Sequence, residues 1–394
     1  MNRTYLGLTV SELELMNGIN TAREISGQPA LWNKSYDLFT SIKPALSEYL
    51  TKIKSIENLE VIFTGAGTSA FIGEALAPIF EKNFGVFSKA IPTTDIVTHP
   101  EYYFREEIPT LLVSFARSGN SPESVKTVEL ANKIFDNVYH LIITCNKDGN
   151  LAKMISGSDK NFLYLLPDES NDKSLAMTGS FTSMLLTGIL ISHIFNKKID
   201  LEFEVTKLSD YGNKILYKYL EQLSGIAKIS FDRAVFLGSG PFGGIARESH
   251  LKLQELTNGN VICKFDTFMG FRHGPKAVMT NKTLISFLFS NKEYSQKYEK
   301  DLVNSIETGK SAAFKLAIME NDIKDIDVNL KIILNENDSQ IKEEFLLPVS
   351  VLPAQIIGFF KSLQLGLQPD QPSNNGMISR VVEGVNLYEY SIVN

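Results

Sequence analysis

The chain has 394 residues, too many for one ordinary domain and suited to two of about 150–200 residues, each able to bury a core. It is 43% hydrophobic and 21% charged, as globular proteins are, and its net charge of −6 argues against a surface built to hold nucleic acid or anionic lipid. Cys145 and Cys263 are the only cysteines and form no Cys-x-x-Cys pair, so neither a disulfide framework nor a structural zinc site is expected, and a reducing cytoplasm fits best.

Residues 1–58 read as a helical segment. Ser11 and Glu14 have capping-box spacing, and LWNKSYDLFTSIKPALSEYL (31–50) carries apolar residues at helical intervals. The opening MNRTYLGLTVSELELMNG lacks the apolar core of a secretory leader. A first domain is expected over 59–205. In it VIFTGAGTSA (61–70) is a buried strand entering a glycine turn and a helix, TLLVSFARSGNSPES (110–124) repeats that order with a serine-rich turn, and HLIITCN (140–146) adds a strand. MLLTGILISHIF (184–195), the longest apolar run, is too short to cross a bilayer and reads as a buried core helix. A polar helical stretch around 200–230 separates this set from a second domain over 206–394, with AVFLGSGPFGG (234–244), TLISFLFS (283–290) and KLAIMEND (315–322).

The two sets are in register. Gly65-x-Gly67 and Gly238-x-Gly240 lie 173 positions apart, and so do Thr110-Leu111 and Thr283-Leu284. Apolar strands alternating with helices predict a tandem pair of doubly wound, parallel-sheet α/β domains. Ligands of such sheets bind at the carboxyl ends of the strands, where glycine turns meet helix N-termini. Gly65, Gly67 and Gly119 let backbone approach a ligand, while Thr68, Ser69, Ser118 and Ser121 place hydroxyls beside helix-end N–H groups, which suits a phosphate. Taken singly these hydroxyls are helix caps, but two such turns on consecutive strands favour a ligand site. Without a P-loop lysine the cradle does not suit a nucleoside triphosphate. GSGPFG (238–243) with Asp266 downstream fits a dinucleotide fingerprint, against which stand the rigid Pro241 and the charged face of the next helix.

That helix carries Glu248, Lys252 and Glu255 within a roughly 60° arc of the wheel, flanked by Ile245, Leu251 and Leu256, with Arg247, His250 and Gln254 opposite. The charges interrupt the apolar face. Carboxylates buried beside a lysine acquire the shifted pKa values a general base uses, and the plainer alternative is a structural i,i+4 ion pair. His273, set in Phe-Arg-His-Gly-Pro, is a candidate acid–base group. No metal-ligand spacing is present.

Together FTGAGTSAFIGE, PTTDIVTHP, SFARSGNSPESV, LAMTGSFTSM, ARESHLKLQELTNG and GFRHGPK resemble the SIS (sugar isomerase) family, over nearly the whole chain and most closely its AgaS type. The resemblance implies a tandem flavodoxin-like SIS fold and no cofactor. It further implies a phosphosugar cradle of Gly67, Thr68, Ser69, Arg117, Ser118, Gly119, Asn120 and Ser121, and a site completed at a homodimer interface. It gives Glu255 the transfer of a proton between C1 and C2, Lys252 and Glu248 its electrostatic surroundings, and His273 ring opening, often for the neighbouring subunit. Related glucosamine-phosphate synthases carry an N-terminal glutaminase domain, which this chain is not expected to have. They also carry a C-terminal lysine, where the matching stretch NNGMISRVVEGV offers only Arg380.

The activity this implies is isomerising deamination of a hexosamine 6-phosphate, most closely galactosamine 6-phosphate to tagatose 6-phosphate and ammonia, with water as co-substrate. Aldose–ketose isomerisation without deamination would use the same proton shuttle. A sugar-phosphate sensor would need a DNA-binding helix pair, for which the first 58 residues are short and not notably basic.

Overall fold

The computed structural model describes residues 3–155, 157–336, 339–373, 376–382 and 384–391. They group into two compact units, each built on one sheet: Met1–Asn33, Asp172–Thr182 and Asp200–Asn375 in one, Lys34–Asn171, Ser183–Ile199 and Gly376–Asn394 in the other.

Near the start, the helix Val10–Leu15 is capped by Thr9, which accepts from Glu12 N–H while the Glu12 carboxylate accepts from Thr9 N–H. The capping box is therefore Thr9/Glu12 and not Ser11/Glu14. Ser11 falls inside the first turn, because the extended backbone a cap needs occurs at Thr9 (φ −71°, ψ 156°). The helical reading of the next stretch holds: α1 runs over Ile19–Lys54.

The unit containing Lys34–Asn171 holds β1 (Glu60–Thr64), α2 (Thr68–Phe84), β2 (Ser88–Ala90), β3 (Thr110–Ala116), α3 (Pro122–Ile134), β4 (Val138–Thr144) and β5 (Asn161–Leu165). Its five parallel strands lie in the order β2-β1-β3-β4-β5. All seven residues of β3 are buried, as a strand covered by helices on both faces requires. Ile62, Leu112 and Ile142 from three adjacent strands meet Val128 and Ala131 of α3 in the core. The expected core helix is α4 (Gly179–Ser192), with Met184, Leu185, Leu186, Ile189 and Leu190 fully buried.

In the other unit come β6 (Arg233–Gly238), α5 (Phe242–Leu256), β7 (Ile262–Asp266), β8 (Thr283–Leu288), α6 (Glu293–Asn304), β9 (Phe314–Met319), β10 (Leu330–Ile333) and α7 (Leu352–Gln364). The strands are again all parallel, in the order β10-β9-β8-β6-β7. Counted from the first strand of each set, both sheets have the order 2-1-3-4-5 of flavodoxin-like domains. The 173-residue repeat therefore corresponds to a repeated topology. Val235, Leu237, Ile285, Phe287, Ala317 and Met319 form this sheet's share of its core, with Leu302 and Val303 from α6.

One apolar stretch is longer than the run singled out in the sequence. Glu343–Gln364 spans 22 residues and contains an 18-residue window at a mean hydropathy of 1.5, long enough to cross a membrane by composition, but 89% of that window is buried inside the protein. It is broken into a 3-10 turn, a short helix and α7, and serves as core.

Candidate active site

The hydroxyl-rich turns form at the carboxyl ends of β1 and β3, which are neighbours in the sheet. After β1 the chain turns through Gly67, whose φ of 55° is a left-handed conformation that glycine adopts without strain, and enters α2 at Thr68. Thr68 and Ser69 are buried at 5% and 4% exposure. After β3, Arg117 and Ser118 lead into Gly119, again left-handed at φ 67°, then Asn120 and Ser121, and α3 starts with Pro122 at its first position.

Neither turn uses its side chains as helix caps. Gly67 and Ser121 occupy the cap positions of α2 and α3, and no side-chain capping bond forms at either. The Ser118 Oγ accepts from Asn120 N–H at 3.2 Å, so its own proton remains to donate to a ligand. Two helix N-termini and these hydroxyls make a cradle with the electrostatics of an anion site.

Arg117 is 7% exposed, and its Nη2 donates to the Arg380 carbonyl at 2.9 Å. Arg380 in turn donates from Nη2 to Asn171 Oδ1 at 2.8 Å. The last cation of the chain is thus held in the same unit as the cradle, and one Arg117 donor serves backbone.

The repeated sheet lacks this chemistry. At the 173-residue shift Thr68 and Ser69 become Pro241 and Phe242. Ser290, which follows β8, gives its N–H to Glu299 Oε2 at 3.1 Å and its hydroxyl to Glu343, so the protein's own carboxylates take up its donors. The ribose ligand sought for the GSGPFG turn, Asp266 at the end of β7, accepts from Thr267 N–H at 2.9 Å.

What the second sheet carries instead is α5. Glu248, Lys252 and Glu255 do lie together on its buried face, beside the fully buried Ile245, Leu253 and Leu256. Lys252 Nζ stands 3.4 Å from Glu248 Oε1 and 2.6 Å from Glu255 Oε2. The side chains of Lys252 and Glu248 are 1% and 0% exposed, whereas Glu255 is 23% exposed. One carboxylate is sealed and the other opens outward. On the opposite face Arg247 and His250 lie against Phe265 of β7, at 5.3 and 4.9 Å from its ring centre. Burial pushes the His250 imidazole down to about 4, which keeps it neutral near pH 7.

His273 is not joined to this triad. It ends the 3-10 turn Gly270–Arg272, where its N–H donates to the Gly270 carbonyl, and its side chain is exposed. Gly274 at φ 115° and Pro275 then fix the loop that presents it.

The sequence reading missed the turn after β4. Asn146 Nδ2 donates to the Ser118 carbonyl at 2.8 Å, and Asn150 N–H to Asn120 Oδ1 at 2.9 Å, so this turn lies directly against the cradle. The signal was available in CNKDGN, an Asn/Asp/Gly turn closing the strand next to β3. Thr93 was also missed; its N–H donates to the Gly65 carbonyl at 2.9 Å.

Comparison with known proteins follows the same lines. The SIS domain family matches residues 56–193, the span of the first sheet. D-galactosamine-6-phosphate deaminase AgaS of Shewanella sp. (strain ANA-3) is 38% identical over 386 residues, covering 97% of this chain and 95% of that protein. A solved structure described as a tagatose-6-phosphate ketose/aldose isomerase, from Clostridium novyi NT, is 39% identical with a TM-score of 0.93, covering 99% of this chain and 100% of that one. The tagatose-6-phosphate ketose/aldose isomerase of Escherichia coli is 36% identical with a TM-score of 0.86, over 95% and 97% of the two chains. With relatives this similar along almost its full length, two flavodoxin-like sheets and the hydroxyl cradle on the first, the chain belongs to the SIS-domain family, in its AgaS branch.

Proposed function

We propose that the protein is an isomerising deaminase that converts D-galactosamine 6-phosphate and water to D-tagatose 6-phosphate and ammonia, and hence a hydrolase. The observation that carries this reading is the contrast within α5. Of two carboxylates flanking one buried lysine, only Glu255 is open to a substrate. The relatives named D-galactosamine-6-phosphate deaminase supply the substrate.

His273 assists opening of the sugar ring to the aldehyde. Glu255 removes the proton from C2 of the open-chain amino aldehyde, giving an enolamine, and returns a proton to C1. The product is a C2 imine, and water adds to it and expels ammonia, leaving the ketose. Lys252 orients the Glu255 carboxyl through its 2.6 Å contact, and Glu248 holds Lys252 in place. The substrate phosphate occupies the cradle of Gly67, Thr68, Ser69, Ser118, Gly119, Asn120 and Ser121, with Arg117 beside it. A positioned base contributes about 10²–10⁴-fold to such a proton transfer, and fixed orientation of the substrate contributes further.

The protein works as a homodimer in which His273 serves the site of the partner subunit, a role its exposed loop position allows. It acts in the cytoplasm, consistent with Cys145 and Cys263 standing outside any disulfide.

A second reading, interconversion of tagatose 6-phosphate with an aldose 6-phosphate, is favoured by the descriptions of the solved relatives. It uses the same shuttle and differs in the C2 substituent. The test is ammonia release from galactosamine 6-phosphate and from glucosamine 6-phosphate. Ammonia from the galacto epimer supports the deaminase. Its absence, with tagatose 6-phosphate turned over, replaces that reading by the isomerase.

A further inference from the structure

The turn after β4 touches the phosphate cradle along three residues. Asn146 Nδ2 donates to the Ser118 carbonyl at 2.8 Å, Leu151 N–H to the Gly119 carbonyl at 3.0 Å, and Asn150 N–H to Asn120 Oδ1 at 2.9 Å. The orientation of Asn146 is fixed from its other end, where Oδ1 accepts from Asp148 N–H at 3.1 Å. Gly149 completes the contact by close approach. A Cβ at that position would stand 2.6 Å from the Ser118 oxygen and 3.1 Å from Gly119 Cα, both backbone atoms that yield only if the cradle turn moves.

These contacts act on a turn that has no side-chain cap of its own. Gly119 is left-handed, and Ser121 makes no capping bond to α3. A phosphate cradle works by having its donors aligned before the ligand arrives, since carbonyls rotated into the site would repel the anion. Asn146 and Leu151 hold the Ser118 and Gly119 carbonyls on the side of the β4 turn, which leaves the Ser118 hydroxyl, whose oxygen accepts from Asn120 N–H, to donate to the ligand.

We propose that Asn146, Gly149 and Asn150 form a positioning brace that sets affinity for the substrate's phosphate without touching the reacting carbons. This rests on the assignment of the phosphate to the cradle made above. The reaction itself is untouched by the brace, so its loss appears in KM and not in kcat.

The cleanest probe is Asn146→Asp. The carboxylate keeps the bond to Asp148 N–H but opposes the Ser118 carbonyl with a second acceptor, and brings negative charge near the phosphate. Gly149→Ala is the second probe, through sterics, and Lys147→Ala, an exposed residue of the same turn, is the control. For the two probes KM for galactosamine 6-phosphate rises about tenfold or more, in line with a lost buried hydrogen bond, with kcat at saturation within about twofold. Unphosphorylated galactosamine, which has nothing to place in the cradle, is turned over as slowly by the variants as by the wild type. Calorimetric binding of tagatose 6-phosphate weakens in parallel, and Lys147→Ala matches the wild type in every measurement. The brace is overturned if the probes leave KM and binding unchanged, if kcat/KM for free galactosamine falls as far as that for the phosphate ester, or if the wild type binds no tagatose 6-phosphate. A wild type that binds tagatose 6-phosphate but releases no ammonia removes the deaminase reading and leaves the brace to be decided by the binding series.

Discussion

Lys252 donates to Glu255 across 2.6 Å while its other carboxylate neighbour, Glu248, lies 3.4 Å away with its side chain fully buried. A single ammonium thus compensates a sealed carboxylate and conditions an open one. Replacing it by methionine keeps most of the volume but takes the neighbouring cation from a buried charge. Breaking a buried ion pair from one side costs about 3–5 kcal/mol. Lys252→Met is therefore expected to melt well below the wild type, and a melting temperature within a degree or two of it would show that Glu248 draws no stability from the lysine.

Glu255→Gln separates chemistry from folding. The amide is isosteric and can still accept from Lys252, and the side chain sits at the edge of the core at 23% exposure, so melting should change little. Without a base the rate of ammonia release falls by about 10²–10⁴-fold while substrate binding by calorimetry is retained. A variant that keeps more than about a tenth of the activity would move the proton transfer to another group.

The doubly wound sheets and the α5 triad were legible because both depend on local pattern. Strands buried on both faces are continuous apolar runs, and charges interrupting an apolar helix face betray themselves at 100° per residue. The cap at Thr9 was missed since Thr9 and Ser11 both stand three residues before a glutamate, and only backbone conformation chooses between them. The turn after β4 escaped for a different reason. Its hydrogen bonds to Ser118 and Asn120 join residues about 30 positions apart, and strand adjacency alone brings them together. Equally invisible was the closing of the second cradle by Glu299 and Glu343, which meet Ser290 only after folding.

That closure is why the proposed function assigns the phosphate to the first sheet alone. Ser69→Ala and Ser118→Ala each remove one cradle hydroxyl. Each should raise KM for the phosphate ester by about tenfold or more with a small change in kcat, since a hydrogen bond to a charged ligand contributes about 1.5–3 kcal/mol and about 1.4 kcal/mol is tenfold. Ser290→Ala, after β8 in the repeated sheet at the position that matches Arg117, should leave KM unchanged. Titration of tagatose 6-phosphate into the three variants and the wild type checks this, and weaker binding in Ser290→Ala alone would contradict it.

The exposed position of His273 allows the proposed sharing of sites between two chains to be tested by complementation. His273→Ala and Glu255→Gln are each expected to be nearly inactive. Mixed in equal amounts and allowed to exchange subunits, they regain about 25% of wild-type activity, the statistical share of sites that join an intact histidine to an intact glutamate in a two-fold dimer. No recovery, with exchange verified by a size-tagged partner, would mean that His273 serves its own chain or none.

Buried carboxylates of the unit that carries the second sheet, Glu299 beside Ser290 among them, also make stability depend on pH. Burial, reinforced by the neighbouring Glu343, pushes the Glu299 carboxyl up to about 8, and burial pushes Glu204 up to about 7 against a bond from Lys342 N–H. In the unfolded chain both titrate near the ordinary carboxyl value of 4.5. Between that value and about 8 the folded protein therefore binds more protons than the unfolded one, and stability falls as pH rises through the window, levelling off above it. The direction is opposite to that of a salt-bridged carboxylate, whose contribution is lost on acidification. Glu299→Gln supplies a permanently neutral isostere and removes the share of one group. Melting temperatures at pH 5.5, 7 and 8.5 should fall less steeply in the variant, with the variant gaining most at the highest pH. Parallel profiles would mean that Glu299 is already ionised in the folded protein at neutral pH, and that the bond from Ser290 N–H outweighs its burial.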